Sequence, residues 1–370
     1  MSNQAITRRD FLGGLVLGPL AFRALSAGTP VRVQQSPPVY SAASPYNRAF
    51  DFASLNAWII PNDEFYIRSH SPVPELDPAS WTVRVQGAVE LPRDFTLKQI
   101  TALPARELPV TLECAGNLVG YGGVSNAKWS GISLSSLLTQ AKVQDGAVEV
   151  VLSGADSGYE NEGNDIQKYT FQRGIPVSKA LDPDTIIAHK MNGESIPPRH
   201  GGPLRVIVPG WYGMDSVKWI TRIEVIREPF AGFYQSKRYY EARRIEGRPR
   251  ISPVHEMSIK SQLARPKIGQ ELHIGPIDVI GAAWGAEIQA VDLSFDGGAN
   301  WSPATLDQDK AKYAWRIFRG VWRPSRPGAY EIVCRARDDA GRVQPMAKDP
   351  DLLSPYQNNW CDRHKVLVLG

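Results

Sequence analysis

Four short stretches of this chain set reactive side chains close together. In Glu64-Phe65-Tyr66-Ile67-Arg68-Ser69-His70, an Arg and a His stand two residues apart. On an extended segment that spacing points both to one side, because side chains alternate along a strand. An Arg fork beside an imidazole grips a small oxyanion, since the guanidinium offers a planar set of donors. The plainer alternative is a solvated edge strand. In Leu108-Pro109-Val110-Thr111-Leu112-Glu113-Cys114-Ala115-Gly116-Asn117, an apolar strand runs into a cysteine and then a small, turn-prone tripeptide. A thiolate at a strand end is a soft ligand suited to a polarizable metal, and a buried structural cysteine is the competing reading. Arg199-His200-Gly201-Gly202-Pro203-Leu204-Arg205 precedes the apolar Val206-Ile207-Val208. There the Gly pair would let backbone amides approach an anion, with His200 and Arg205 as charge-assisted donors. That pattern suits a phosphate-bearing cofactor or an ordinary turn before a strand. Tyr239 lies 21 residues beyond Lys218, next to Lys237 and Arg238. A tyrosine among cations binds an anion, gates a proton or packs. Each signal is weak alone, and their joint occurrence is not.

Short apolar strands alternating with Gly-rich loops must position these residues. Segments 148–152, 186–189, 204–208 and 220–226 predict strands, and 132–141 and 177–181 predict short helices. The mixture has no regular βαβ rhythm, which disfavours a doubly wound nucleotide fold. No Gly-x-Gly-x-x-Gly opens a helix, and no phosphate-binding Gly-Lys-Ser/Thr loop appears. A basic stretch from Arg243 to Arg250 marks a boundary, beyond which the pattern turns all-β. Val291, Leu293 and Phe295 alternate with polar residues and lead into the hairpin signal Asp296-Gly297-Gly298. About seven short strands in the last ~120 residues predict an immunoglobulin-like sandwich. The expected fold class is therefore α+β, a mixed α/β domain over 49–245 followed by an all-β sandwich over 246–370. Trp284, Trp301, Trp315, Trp322 and Trp360 are expected in the sandwich core or at an interface. Cys334 reads as sandwich core, and Cys361 carries no assignment.

At 370 residues the chain is long enough for two domains. With 42% hydrophobic and 22% charged residues it is neither disordered nor collagen-like. A net charge of +4, without an arginine-rich run or aromatic-basic repeat, gives no ground for a nucleic-acid partner. Three widely spaced cysteines exclude a disulfide framework and a cysteine-rich zinc site. No Cys-x-x-Cys-His occurs, so this chain encodes no covalently attached haem. Thr7-Arg8-Arg9-Asp10-Phe11-Leu12 and a modest apolar stretch interrupted by Arg23 have the layout of a twin-arginine signal over 1–27. A Ser- and Pro-rich arm follows over 28–48. Twin-arginine export moves folded proteins, which suits a cofactor loaded in the cytoplasm and predicts a periplasmic location. Beyond the signal no run approaches the ~20 apolar residues of a membrane span.

Taken in order, Phe65-Tyr66-Ile67-Arg68-Ser69-His70-Ser71-Pro72-Val73-Pro74, the Thr111 to Asn117 motif, Met191-Asn192-Gly193 and the His200 to Gly213 stretch resemble the sulfite oxidase family of molybdenum enzymes. The resemblance runs from about residue 50 to the C-terminus. It implies a molybdopterin-binding catalytic domain followed by a dimerisation domain, and hence a homodimer. It also implies that Cys114 is the protein thiolate on molybdenum. By the same likeness, Tyr66, Ile67, Arg68, Ser69 and His70 line the molybdopterin, and Asp156, His200, Arg205, Ser216, Val217 and Lys218 hold the pterin and its phosphate. Arg68, His70 and Tyr239 then face the substrate. The implied reaction is oxidation of sulfite to sulfate by oxygen-atom transfer. Electrons would leave for a separate c-type cytochrome, as in bacterial sulfite dehydrogenases. A related sulfane dehydrogenase activity, or a non-enzymatic surface-binding role for the sandwich, are the alternatives. Some members add a substrate-site Arg from the second domain, where this chain aligns Leu353.

Overall fold

A computed structural model describes residues 46–162 and 165–370. The leader expected at 1–27 and nearly all of the arm expected at 28–48 lie outside the described residues. Two five-stranded sheets build the first half. One runs in the order Arg93–Thr96, Thr82–Gly87, Ile220–Ile226, Glu149–Glu162, Asp165–Pro176. Its neighbours are antiparallel except for Thr82–Gly87 against Ile220–Ile226. The helix Leu134–Ala141 joins this sheet's core through Leu134, Leu137, Leu138 and Ala141. Those positions recur every three or four residues and share one helical face. The other sheet pairs Arg106–Glu113 with Val124–Ser133 and then Ile186–Met191, which also carries Glu194–Ser195 and Arg205–Ile207. Glu113 pairs with Val124, so the chain leaves this sheet at Cys114 and returns ten residues later.

The strand expected at 148–152 continues to Glu162 and forms a long hairpin with Asp165–Pro176. Gly154-Ala155-Asp156-Ser157-Gly158 forms a bulge, with the register shifting between Ser153 and Ser157. A Cβ on Gly154 would collide with Asp156 Oδ1 and meet the Lys218 carbonyl at 2.8 Å. Glycine is thus required there for a close approach rather than for a reversal.

The second half opens with a hairpin, Tyr240–Ile245 with Arg248–Pro253, turning at Glu246 and Gly247 in the left-handed region. The boundary expected between 245 and 246 lies inside this hairpin, between two paired strands. Two sheets of four and five strands then face one another around a shared core. The strands beyond the expected seven are edge pieces of two or three residues, such as Ser302–Pro303 and Thr305–Leu306. Gly297 and Gly298 both take positive φ, as the hairpin signal requires.

The tryptophans divide between two settings. Trp322 lies in the sandwich core, stacked on Phe295 at 5.2 Å. Trp284 and Trp315 instead join Phe50, Phe52 and Trp129 in a cluster that spans both halves. Across this seam the Trp58 and Trp315 indoles each donate to the other's carbonyl at 2.9 Å. A buried indole removes about 200 Å² from water, roughly 5 kcal/mol at ~25 cal/mol per Å². Trp301 and Trp360 are half-buried. Cys114, Cys334 and Cys361 are all free thiols, and Cys334 sits fully buried in the sandwich core. Among the described residues no helix is long and apolar enough to cross a membrane.

Candidate active site

The strand Arg106–Glu113 delivers Cys114 to the wall of a cavity. Its backbone is fixed on both sides: Cys114 N donates to the Gly123 carbonyl and Asn117 N to the Cys114 carbonyl, each at 2.8 Å. The preceding residue, Glu113, is buried, and every acceptor it offers is used. Lys260 Nζ and Asn117 Nδ2 donate to its Oε1 at 2.9 Å each, and Trp284 Nε1 donates to its Oε2 at 2.8 Å. Lys260 also donates to the Asn117 carbonyl at 2.9 Å. Lys260 and Trp284 come from the sandwich, so the second half braces the cysteine loop of the first. Burial raises the Cys114 pKa, opposed by the charge of Arg68. A coordinated metal reverses that preference and deprotonates a thiol.

Arg68, Arg199, Arg205 and Lys218 bring cations to the cavity, which His200 and the carboxylate of Asp156 also line. Arg205 donates from Nη1 to the His200 carbonyl at 2.8 Å and from Nη2 to the Ser216 carbonyl at 2.9 Å, while its buried Nε has no partner. Burial lowers the Arg205 pKa to about 10. Burial, followed by repulsion from Arg205, lowers Lys218 to about 7. Burial raises Asp156 to about 6, resisted by Lys218. Cations crowded so closely are poised for an anion.

Two expectations here are corrected. His200 is a neutral imidazole rather than a charged donor. Its Nε2 bonds the Asn62 carbonyl at 2.7 Å, and burial holds its pKa near 4. The amides of Gly201 and Gly202 do not face an anion, because they donate to the Pro198 and Pro197 carbonyls at 3.0 and 3.3 Å. The glycines are needed for space and conformation. Gly201 has φ +102°, and a Cβ there would press on the Lys218 stem at 2.7 Å.

Arg68 and His70 do reach one cavity, from a single bridge at Ile67 and a bend rather than from a continuous strand. Ile67 pairs with Arg48, and the next residue, Asn47, uses its Oδ1 to accept from Ser69 N at 2.6 Å and Arg68 Nη1 at 3.3 Å. Lys218 Nζ donates to the Arg68 carbonyl at 3.1 Å and bonds Ser69 Oγ. His70 Nε2 lies 2.6 Å from Tyr239 Oη. Tyr239 follows a π-helical turn, Tyr234–Arg238, a local distortion frequent at functional sites. Leu353 is exposed and does not line the cavity. Tyr356 approaches instead, its ring 5.2 Å from that of Tyr239, and Gln357 N donates to the Ala115 carbonyl at 3.3 Å.

The cavity brings together Tyr66, Ile67, Arg68, Ser69, His70, Cys114, Asp156, His200, Arg205, Ser216, Val217, Lys218 and Tyr239, all thirteen residues singled out in the sequence. Sequence reasoning missed the partners around them: Asn47, Glu113, Glu160, Arg199, Lys260, Trp284 and Tyr356. Among the described residues no three His, Cys, Asp or Glu side chains converge on a metal position. A metal at Cys114 must therefore bring its other ligands with it. One thiol and several cations on the same cavity, with the buried Arg205 Nε lacking a hydrogen-bond partner, fit a metal carried on an anionic organic ligand.

A family model for the oxidoreductase molybdopterin binding domain matches residues 70–234, and one for the Mo-co oxidoreductase dimerisation domain matches 252–368. Human mitochondrial sulfite oxidase is 32% identical over 349 residues, covering 84% of this chain and 62% of that protein. This chain thus spans about three-fifths of the length of such mitochondrial relatives. Arabidopsis thaliana sulfite oxidase is 30% identical over 398 residues, covering 92% of this chain and 97% of that one. The sulfane dehydrogenase SoxCD of Paracoccus pantotrophus shares the fold, with a TM-score of 0.76 at 24% identity over 92% of both chains.

Proposed function

Because this chain belongs to the sulfite oxidase family of molybdopterin oxidoreductases, we propose that it oxidises sulfite to sulfate and passes the electrons to a c-type cytochrome. The observation that carries the reading is the convergence of the Cys114 thiol, the Arg68 fork and the His70–Tyr239 pair on one cavity. Bound molybdopterin supplies a redox-active molybdenum that takes up two electrons and exchanges an oxygen atom. Cys114 would hold the metal. Arg205 and Lys218, with Asp156, His200, Ser216 and Val217, would hold the pterin and its phosphate, while Tyr66, Ile67 and Ser69 line it.

The chain's own residues then have to bind a dianion and handle protons. Arg68, steadied by Asn47 and by the Ser69 carbonyl at 2.6 Å, offers charge-assisted donors to sulfite. Leu353, which aligns where other family members bring an Arg, does not line the cavity, so anion binding rests on Arg68 and His70. The acceptor is a separate protein on this reading, with the enzyme periplasmic and homodimeric through its sandwich.

The test is the visible absorption spectrum of oxidised, cofactor-loaded protein before and after sulfite. A thiolate-to-molybdenum band that bleaches with sulfite and is missing in Cys114→Ser supports the reading. Arg68→Ala should raise the Michaelis constant for sulfite by about tenfold or more with molybdenum content unchanged. A band indifferent to sulfite but bleached by a cysteine-bound sulfane would move the substrate to the second reading, sulfane oxidation. No band in protein made where the cofactor is available would leave a binding module.

A further inference from the structure

Oxidation of sulfite consumes one water, SO3²⁻ + H2O → SO4²⁻ + 2H⁺ + 2e⁻, so two protons must leave a buried site in each turnover. The electrons go to a one-electron carrier, and the protons need a path of their own. His70 sits between Tyr239 and an acid that no motif revealed. Its Nδ1 lies 3.2 Å from Glu160 Oε1, on the long hairpin, and its Nε2 lies 2.6 Å from Tyr239 Oη. A carboxylate only accepts, so the ring proton sits on Nδ1. Nε2 then presents a lone pair, and the Tyr239 hydroxyl donates to it. The Tyr239 proton therefore points to His70, leaving the oxygen's lone pairs to other partners.

Every element around His70 supports this arrangement. Phe171 stacks on the ring at 5.8 Å, and Tyr234 packs at 4.9 Å. Tyr234 Oη donates to Glu160 Oε1 at 3.1 Å, and Arg238 Nη2 pairs with Oε2 at 3.3 Å. Burial, then the charges of Arg68 and Arg238, favour the neutral ring against the pull of Glu160. Glu160 itself is held below the ordinary carboxylate range, chiefly by its bond to His70, then by Arg238 and Tyr234. Exposure rises along the series: Tyr239 is 6% exposed, the Glu160 side chain 13% and the Arg238 side chain 45%.

We propose that Glu160 is the outer station of a proton path from Tyr239 through His70 to solvent, and that it sets the His70 tautomer on which the path depends. The proposal rests on the sulfite chemistry above. In each passage Tyr239 Oη accepts a proton from the cavity side and gives its own to His70 Nε2. The imidazolium so formed hands its Nδ1 proton to Glu160, which releases it to water, and a rotation of the ring returns the remaining proton to the Glu160 side before the second proton passes. Each transfer breaks one O–H or N–H bond and makes another, with no change in oxidation state.

The test compares wild type, Glu160→Leu and Glu160→Asp as loaded protein. Nitrogen-15 NMR of the imidazole reads the tautomer, and stopped-flow absorption reads sulfite-driven bleaching and ferricyanide-driven reoxidation separately, in H2O and D2O. In wild type the proton should sit on Nδ1. Glu160→Leu, which offers Nδ1 no acceptor, should let it move to Nε2. The same variant should slow reoxidation by about 100-fold, the loss of one positioned acid–base group, and more than it slows bleaching. The deuterium effect on reoxidation should grow, and Glu160→Asp should restore the tautomer and most of the rate. An unchanged tautomer, or equal slowing of both half-reactions without a larger deuterium effect, overturns the proposal and leaves Glu160 as an anchor for the hairpin. Wild-type protein that fails to bleach with sulfite would sink the sulfite reading instead, and the tautomer result would still stand on its own.

Discussion

Two buried charge clusters flank Cys114, and they differ in one respect. Around Glu113, each carboxylate oxygen has its donors, and Lys260, Asn117 and Trp284 are placed for it. Around Arg205 and Lys218, cations press on one another and the Arg205 Nε has no partner. Buried charge is costly unless paired, so the first cluster is complete as it stands and the second waits for something to neutralise it. A satisfied network marks a brace, and an unsatisfied one marks a binding wall.

Substitutions should separate the two. The largest loss is expected from Glu113→Leu, which strands the Lys260 ammonium and the Trp284 N–H in a dry interior. Removing one partner of a buried pair costs about 3–5 kcal/mol, and denaturant unfolding of the cofactor-free protein measures it. A loss below about 1 kcal/mol would mean that water reaches the cluster. Trp284→Phe keeps most of the ring but removes one donor to a carboxylate, and should cost about 1–3 kcal/mol in the same assay. Arg205→Met should move the stability of the cofactor-free protein by less than about 1 kcal/mol in either direction, because it removes repulsion along with two hydrogen bonds. Molybdenum content of the same variant should nevertheless fall, as read by elemental analysis. Full metal retention would show that the wall is not where the cofactor's charge is met.

The same contrast sets a pH dependence of smaller amplitude. Lys218, lowered to about 7 by burial and by Arg205, carries fewer protons folded than unfolded between there and its ordinary value of 10.5. Stability of the cofactor-free protein should therefore rise as pH climbs from about 7 toward 10. Asp156, raised by burial to about 6, holds an extra proton when folded between about pH 4 and 6. Its contribution falls across that interval as pH rises, but His200, held near 4 by burial, binds fewer protons folded than unfolded up to about 6.5 and contributes an offsetting rise. Melting curves should therefore be nearly flat below about pH 7 and climb along an upper limb above it. Lys218→Met should abolish the upper limb, and a limb that persists would assign it to another group.

The residues that line the cavity were legible because each lies in a local motif: the Arg68/His70 pair, a cysteine ending an apolar strand, the Gly-Gly turn before Arg205. Their supports were not legible, because each reaches across the fold. Lys260 meets Glu113 from 147 residues away and Trp284 from 171. Lys260-Ser261-Gln262 reads as an exposed polar strand, yet all three residues are buried. Glu160, in Tyr159-Glu160-Asn161-Glu162, reads as solvated charge until the bulged hairpin folds it against His70. The bulge itself was hidden because only the near approach of the Lys218 carbonyl explains the glycine. His200 and the Gly pair were assigned by residue type, and their backbone partners decided otherwise. The sandwich was read from strand spacing alone, whereas the seam occupied by Trp284 and Trp315 depends on what lies opposite.

That seam has a consequence for how the molecule comes apart. Trp284 belongs at once to the interdomain cluster and to the brace behind the Cys114 thiol. Heat that loosens the joint between the halves would release the cysteine loop in the same event. Calorimetry should then record one cooperative transition rather than two, and loss of molybdenum should share its midpoint. Retention of the metal would serve as a gauge of whether the two halves are still joined.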